Sequence, residues 1–409
     1  MQQRFVYMDY NATTPLRPEV KELMVRDLEV YANASSMHEA GRRARAGIEA
    51  ARASVAALIG ARDPQELYFT SGGSESNNTV FGTMYELGRG RAPSVGRYRA
   101  EGRRKVITTA IEHPCVMNAA RRLADEGFPV VFLPVDGQGR VDLARLEAEL
   151  DPSRSEGGPT LLVSVMAANN EIGTVEEIAR IALMAKAAGA LVHTDATQAV
   201  GKIPVDVHAW GVDYLTLSCH KIYGPKGVGA LYARSGAPLE PLVRGGHQEQ
   251  GVRAGTYNNL GILGFGLAAE LARRDLPEFS ARLRALRERL REGIVARIPQ
   301  VRVNGHPTEV LPNTLNASFP GAEGESILLS LDMEGIEVST GSACASGSLE
   351  PSHVLMATGV GPELAHGSIR FSLGRDTTEE EVEYVLDKLP PIIARLRRMS
   401  TVSAEIRSA

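Results

Sequence analysis

Leu217-Ser218-Cys219-His220-Lys221-Ile222-Tyr223-Gly224 is the stretch on which the reading of this chain turns. Before it, Tyr214 to Leu217 is a short, mostly apolar run of the kind that forms a buried strand. After it, the Gly-Pro-Lys-Gly sequence from Gly224 to Gly227 makes a turn. A lysine at the end of a buried strand is desolvated and loses part of its preference for charge. It becomes a nucleophilic amine, suited to holding a carbonyl cofactor as an imine. A second segment, Thr194-Asp195-Ala196-Thr197-Gln198, ends another apolar strand. An acid there can hold a protonated pyridine nitrogen. Together the two segments point to pyridoxal 5′-phosphate (PLP) rather than to a nicotinamide or a metal.

Outward from this stretch, apolar runs alternate with amphipathic ones. Strands are expected at 67–70, 105–109, 130–134, 161–166, 191–194, 214–218 and 229–233, with helices at 39–59, 74–87, 115–126, 143–150 and 175–188 between them. Such alternation predicts an α/β fold with a largely parallel sheet. Ligands of such sheets sit beyond the carboxyl ends of the strands, where Ser71–Ser74, His113, Asn170, Asp195 and Lys221 all fall. After about Tyr257 the texture changes to a long helix, 260–297, then short strands at 314–319, 336–339 and 368–372 and a last helix, 378–399. This predicts a smaller α+β domain.

With 409 residues the chain can bury a large core, in two domains. A formal charge of −4 gives no reason to expect nucleic acid or an anionic membrane as partner. No apolar run approaches the roughly 20 residues of a membrane span, and Met1 to Asp9 lacks the apolar core of a secretory leader. A cytoplasmic location is therefore expected. Cys115, Cys219 and Cys344 form neither a disulfide framework nor a CxxC pair, so no intrinsic metal site is expected.

Several segments carry chemistry, and each has a plainer structural reading beside it. Thr70-Ser71-Gly72-Gly73-Ser74-Glu75-Ser76-Asn77 joins a strand to a helix whose first N–H groups suit a phosphate, although Gly/Ser turns are also simply turns. His113 ends a strand, where an imidazole stacks on a ring and shuttles protons, or merely packs. Asn169-Asn170 is a turn or a donor to a cofactor hydroxyl; Asp195 is a pyridine partner or a helix cap. The Gly-rich loop from Arg244 to Thr256 places Arg253 and Thr256 within reach of a phosphate. Ser342-Ala343-Cys344-Ala345-Ser346-Gly347-Ser348 sets one cysteine among small residues, which reads as exposed and mobile. Arg370 has a guanidinium fork suited to a substrate carboxylate.

Taken together, these segments resemble the cysteine desulfurases of the NifS/IscS kind, within the class-V aminotransferase family of fold-type-I PLP enzymes. The matching stretches are Asp9–Pro15, Ser71–Asn77, Glu112-His113-Pro114, Asn169–Gly173, His193–Gln198, His220–Gly227, Gly245–Thr256 and Gly341–Pro351. The resemblance implies the aspartate aminotransferase-like fold, with a large PLP-binding domain at 15–260. The small domain would comprise 1–14 and 261–409 and carry the mobile cysteine loop, about 339–350. It implies that Lys221 holds the cofactor and moves the substrate's α-proton. Asp195 would pair with the pyridine nitrogen, and Gln198 and Asn170 would lie at the ring's 3-hydroxyl. His113 would stack on the ring. Gly73, Ser74, Ser218 and His220 would bind the phosphate, joined by Thr256 from the second subunit of a homodimer. Asn33 and Arg370 would hold the carboxylate of L-cysteine. Cys344 would attack the substrate sulfur and leave as a persulfide, with alanine released. It could also serve as a transient iron–sulfur ligand.

The sulfur would pass to an iron–sulfur scaffold or another acceptor protein. Ser-Ala-Cys-x-Ser matches the long-loop branch, and the His-His-Cys setting of the selenocysteine lyase branch is absent. A selenocysteine lyase or a related aminotransferase is the nearest alternative, and a non-catalytic iron–sulfur scaffold is the alternative from another class. Three positions depart from the family pattern. Ala345 follows the cysteine where Thr is usual, Ala34 replaces a Pro beside Asn33, and Cys219 stands where a smaller residue precedes the histidine. Cys219 and Cys115 are expected to be buried apolar fillers.

Overall fold

A computed structural model describes residues 5–96, 98–341 and 350–399. Its strands are β1 (Val6–Tyr7), β2 (Leu67–Thr70), β3 (Lys105–Thr109), β4 (Val130–Leu133), β5 (Thr160–Ser164), β6 (Leu191–Asp195), β7 (Tyr214–Ser218), β8 (Gly229–Ala233), β9 (Arg302–Asn304), β10 (Thr314–Ser318), β11 (Ile336–Glu337) and β12 (Ser368–Ser372). Seven of them form one sheet in the order β2-β8-β7-β6-β5-β3-β4. Only β8 runs against its neighbours, pairing antiparallel with both β2 and β7. The other pairs are parallel. The mainly parallel α/β fold expected from the alternation is therefore present, with β8 reversed inside it.

Every residue of β2, β3, β5, β6, β7 and β8 is buried. A sheet covered on both faces needs apolar side chains at successive positions, and period-two alternation sends them to opposite cores. On one face Leu67, Phe69, Ile107, Val163, Val192, Leu215 and Leu217 pack with Ile48 and Val55 of helix Glu39–Leu58, Ile181 of helix Ile178–Ala187 and Phe265. On the other, Tyr68, Val106, Leu162, Leu191, Tyr214 and Leu231 pack with Val80 and Met84 of helix Gly73–Gly88 and Val116 and Leu123 of helix Pro114–Asp125. Each such side chain contributes about 1.5–3 kcal/mol of burial. β4, at the edge, is only half-buried over its first three residues.

A separate core is built on the antiparallel sheet β12-β10-β9 and the parallel pair β1-β11. Helix Glu379–Met399 covers it with Val382, Val385, Leu386 and Leu389. One 39-residue helix, Asn259–Arg297, serves both cores. Ile262, Phe265, Ala268 and Leu271 enter the first, and Leu283, Leu286, Leu290 and Ile294 enter the second. Asn258 caps it by accepting from the Gly261 N–H at 3.0 Å.

Some elements were not expected from the sequence. β1 and β9 are too short to show a period. Helices Pro18–Asp27, Gly324–Asp332, His353–Ala357 and Pro362–His366 lie in stretches with weak patterns. The strand expected at 336–339 ends at Glu337, and Ser339 instead makes an isolated bridge with Arg370. Among the described residues, no helix is long and apolar enough to cross a membrane.

Candidate active site

The carboxyl ends of β2, β3, β5, β6 and β7 open onto one cavity of about 360 Å³. Gly73, Ser74, His113, Asn170, Asp195, Gln198, Ser218, His220, Lys221 and Arg370 all line it. Close approach of backbones shapes its rim. A Cβ on Gly229 would lie 2.6 Å from the Gly72 Cα, and one on Gly73 would lie 3.1 Å from the Thr197 Oγ1.

Lys221 ends a short 3-10 turn, Cys219–Lys221, directly after β7. Its Nζ donates to the carbonyl oxygens of Asn11 at 2.6 Å and Ala12 at 2.7 Å. The sequence predicted a buried lysine; the side chain is half-buried because the cavity opens beside it. Asp195 is the last residue of β6. One carboxylate oxygen accepts from the Thr197 N–H at 3.0 Å and the other from Asn77 Nδ2 at 2.7 Å. Gln198 donates through Nε2 to the Asn11 carbonyl at 2.9 Å, while its Oε1 accepts from the fully buried Lys202 at 2.6 Å. Burial, with Lys221 and Arg370 nearby, pulls the Lys202 ammonium well below its ordinary pKa.

His113 precedes helix Pro114–Asp125 and caps it, its Nδ1 accepting from the Cys115 N–H at 3.2 Å. Burial lowers its pKa; Asp195 opposes this, and Lys221 and His353 add to it. His220 is pushed down to about 4 by burial and by Lys221, Lys226 and Lys202. It is therefore neutral at pH 7, with Nδ1 3.1 Å from the Thr13 hydroxyl. Gly73 and Ser74 open a 16-residue helix and line the cavity, so a helix N-terminus, an end that favours anions, stands at its wall.

Arg370 lies in the middle of β12. It donates to Asp9 at 2.6 Å and to the Asn170 carbonyl at 3.1 Å, and its buried Nε has no partner among the described residues. Arg253, expected near a phosphate, is instead paired with Glu75 at 2.9 Å. Its guanidinium is held beside the helix start rather than offered to the cavity. Asn33 is exposed and outside the cavity lining, its Oδ1 accepting from the Ser35 N–H at 2.9 Å. Thr256 is also exposed and outside the lining. Cys344 lies outside the described residues; Gly341, just before that segment, lines the cavity.

Sequence reasoning passed over four groups. Asn11 joins the site together: its carbonyl receives Lys221 and Gln198, and its side chain reaches Asn170, Asn313 and Thr314. Asn77 holds Asp195. Cys115, read as an apolar filler, lines the cavity with its sulfur 3.0 Å from His113 Nδ1. Glu112 is buried beside His113; burial lifts its carboxyl to about 8, against bonds from the Met166 N–H and the Thr109 hydroxyl. The His-Pro-Cys order at a helix start was the available signal for Cys115. Asn11 left no local signal, because its partners are far along the chain.

A phosphorylated pyridine aldehyde fits these residues. An amine, a carboxylate and a helix N-terminus line the same cavity. Two buried polar atoms at its wall, Thr197 Oγ1 and Arg370 Nε, lack partners among the described residues. Among the described residues no group of three or more His, Cys, Asp or Glu side chains could hold a metal ion. Residues 6–385 match the family described as Aminotransferase class-V. The chain belongs to that family. Within it, the chain stands with the cysteine desulfurases of the NifS/IscS type. It is 48% identical over 405 residues to the cysteine desulfurase IscS of Dictyoglomus turgidum, covering 98% of each chain. It is 48% identical over 399 residues to cysteine desulfurase 2 of Trichormus variabilis, covering 97% of this chain and 95% of that one. A solved NifS-like protein superposes with a TM-score of 0.86 at 38% identity, covering 96% of this chain and 100% of that one. Enzymes of this class depend on PLP.

Proposed function

We propose that this chain uses PLP to remove sulfur from L-cysteine, releasing L-alanine and leaving the sulfur as a persulfide on Cys344 for an acceptor protein in iron–sulfur cluster assembly. The observation that carries the reading is the convergence of Lys221, Asp195, His113 and Arg370 on one cavity with a helix N-terminus at its wall. Bound PLP supplies an electron sink for the substrate's Cα. In this reading Lys221 holds the cofactor and moves the α-proton. Asp195, aligned by Asn77 and the Thr197 N–H, keeps the pyridine nitrogen protonated. Ser74, Ser218 and His220 take the phosphate with Gly73, and Gln198 and Asn170 lie at the 3-hydroxyl.

Arg370 offers its Nε, without a partner among the described residues, to the substrate carboxylate. Asn33 joins Arg370 at the substrate carboxylate, and Thr256 completes the phosphate site from the second subunit of a homodimer. The division into 15–260 and 1–14 with 261–409, and the cytoplasmic location, belong to the same proposal. The Cys344 thiolate attacks the substrate sulfur. An S–S bond forms as the Cβ–S bond breaks, the electron pair stays with the carbon skeleton, and proton delivery completes alanine. The other two thiols support this choice of nucleophile. Burial raises Cys115 to about 12 and Cys219 well above its ordinary value, so neither supplies thiolate at neutral pH.

The test is to incubate the purified chain with L-cysteine, quantify alanine and map the persulfide. Equal amounts of alanine and Cys344 persulfide are expected, and borohydride should leave cofactor attached to Lys221. No alanine, or a persulfide on Cys115 or Cys219 instead, would overturn the reading.

A further inference from the structure

The strongest unassigned arrangement in the cavity wall is a short chain of hydrogen bonds from Asp195 through Asn77 and Cys115 to His113. Its direction can be worked out from the groups themselves. The Asp195 carboxylate only accepts, so the amide nitrogen of Asn77 faces it, at 2.7 Å. The same nitrogen lies 3.1 Å from the Cys115 sulfur and has a second hydrogen to give. The sulfur therefore accepts on that side. On its other side it stands 3.0 Å from His113 Nδ1. That nitrogen already accepts the Cys115 backbone N–H at 3.2 Å, so it carries no proton of its own. The thiol hydrogen thus points at Nδ1. Asn77 is fully buried, which keeps water from competing for these bonds.

We infer that Asn77 and Cys115 are positioning residues that hold His113 as the neutral tautomer protonated on Nε2, so that His113 meets its site as a hydrogen-bond donor through Nε2 while its Nδ1 is not free to act as a base. Two donors converge on Nδ1, and a third hydrogen there would meet both. The charged groups that act on His113 from neighbouring elements are Asp195 at the end of β6, Lys221 after β7 and His353 on helix His353–Ala357. Asp195 favours the imidazolium; Lys221, His353 and burial oppose it. The thiol tips that balance further toward the neutral ring. Cys115 cannot reverse the relay by giving up its proton, because burial and Asp195 hold it protonated.

The inference deepens the role given to His113 above and rests on that reading only for its consequence in catalysis. The test does not need turnover. Nitrogen-15 histidine spectra of the full chain, with and without cofactor, would be recorded across pH. The His113 signals are assigned by their loss in His113→Gln. At neutral pH, Nδ1 should be unprotonated and Nε2 protonated. Cys115→Ala should raise the midpoint of His113 protonation by roughly half to one pH unit, the size of one hydrogen bond, and Cys115→Ser should restore it. An Nδ1–H tautomer in the unmodified chain, or identical midpoints in all three proteins, would overturn the inference. A chain with the expected tautomer that releases no alanine would sink the desulfurase reading alone.

Discussion

The seven-stranded and three-stranded sheets bring residues to the same cavity by different means. In the large sheet the functional side chains sit at or just past strand ends: Asp195 and Ser218 are the last paired residues of β6 and β7, and Lys221 lies beyond the ladder. In the small sheet the contribution comes from mid-strand. Arg370 is the third of five residues in β12, paired with Asn316 on β10 and bridged to Ser339 on its other side. Its guanidinium also ties the N-terminal segment, through Asp9, to the turn after β5, through the Asn170 carbonyl. Residues at strand ends can be specialised for chemistry alone. A residue within a ladder does chemistry and holds structure at once, and the two uses cannot be separated by mutation.

Lys221→Ala gives the largest expected effect and should act on chemistry alone. Alanine release should fall by at least ~10²–10⁴-fold, while stability in urea changes by no more than about 1 kcal/mol, the worth of the bonds to the Asn11 and Ala12 carbonyls. A collapse of the fold in this variant would break the comparison. Arg370→Ala should do both kinds of damage. KM for cysteine should rise roughly 10- to 100-fold, the worth of a charge-assisted bond, and stability should drop by about 1–3 kcal/mol as Asp9 and the Asn170 carbonyl lose their donor. Unchanged stability would show that the guanidinium is as dispensable to the ladder as Lys221 is.

The smallest effect concerns pH. Glu112 has its folded-state pKa raised to about 8, so its neutral form is the stable one in the fold. Between the unfolded value of 4.5 and about 8 the folded chain binds more protons, and stability declines as pH rises through that window. Buried His193, held near 4, acts on the acid side: stability is lost as pH falls from 6.5 toward 4. Glu112→Gln should remove the decline between 6.5 and about 8, where His193 no longer titrates, and leave the loss below pH 4.5 in place. An unaltered decline between 6.5 and about 8 in chemical denaturation would move its origin elsewhere.

How much of this was readable beforehand follows the same division. Strands such as 67–70, 105–109, 214–218 and 229–233 show in the sequence as mostly apolar or β-branched runs, because strands buried on both faces need them. The antiparallel sense of β8 was not readable, since direction depends on connections rather than on pattern. Lys221, Asp195 and His113 announced themselves as polar residues at the ends of such runs. Asn11 did not, because its importance lies in contacts with residues 198, 221 and 313 that no local spacing records. Cys115 was misjudged by analogy with Cys219. Each stands within two residues of a histidine, yet one lines the cavity and the other is wholly enclosed.

β1 carries a last consequence, for the order in which the protein can be completed. Val6 and Tyr7 pair with Ile336 and Glu337, and Asp9 bridges to Ser372. The segment that supplies the Asn11 and Ala12 carbonyls to Lys221 is thus made first, and its partners are made near the end. At typical synthesis rates the wait is on the order of tens of seconds. During that time β2 through β8 can emerge and pair, leaving the newborn sheet with its cavity unroofed. Closure of the site is therefore among the final events of folding, and a chain truncated before residue 336 would assemble the large sheet without completing the cavity it serves.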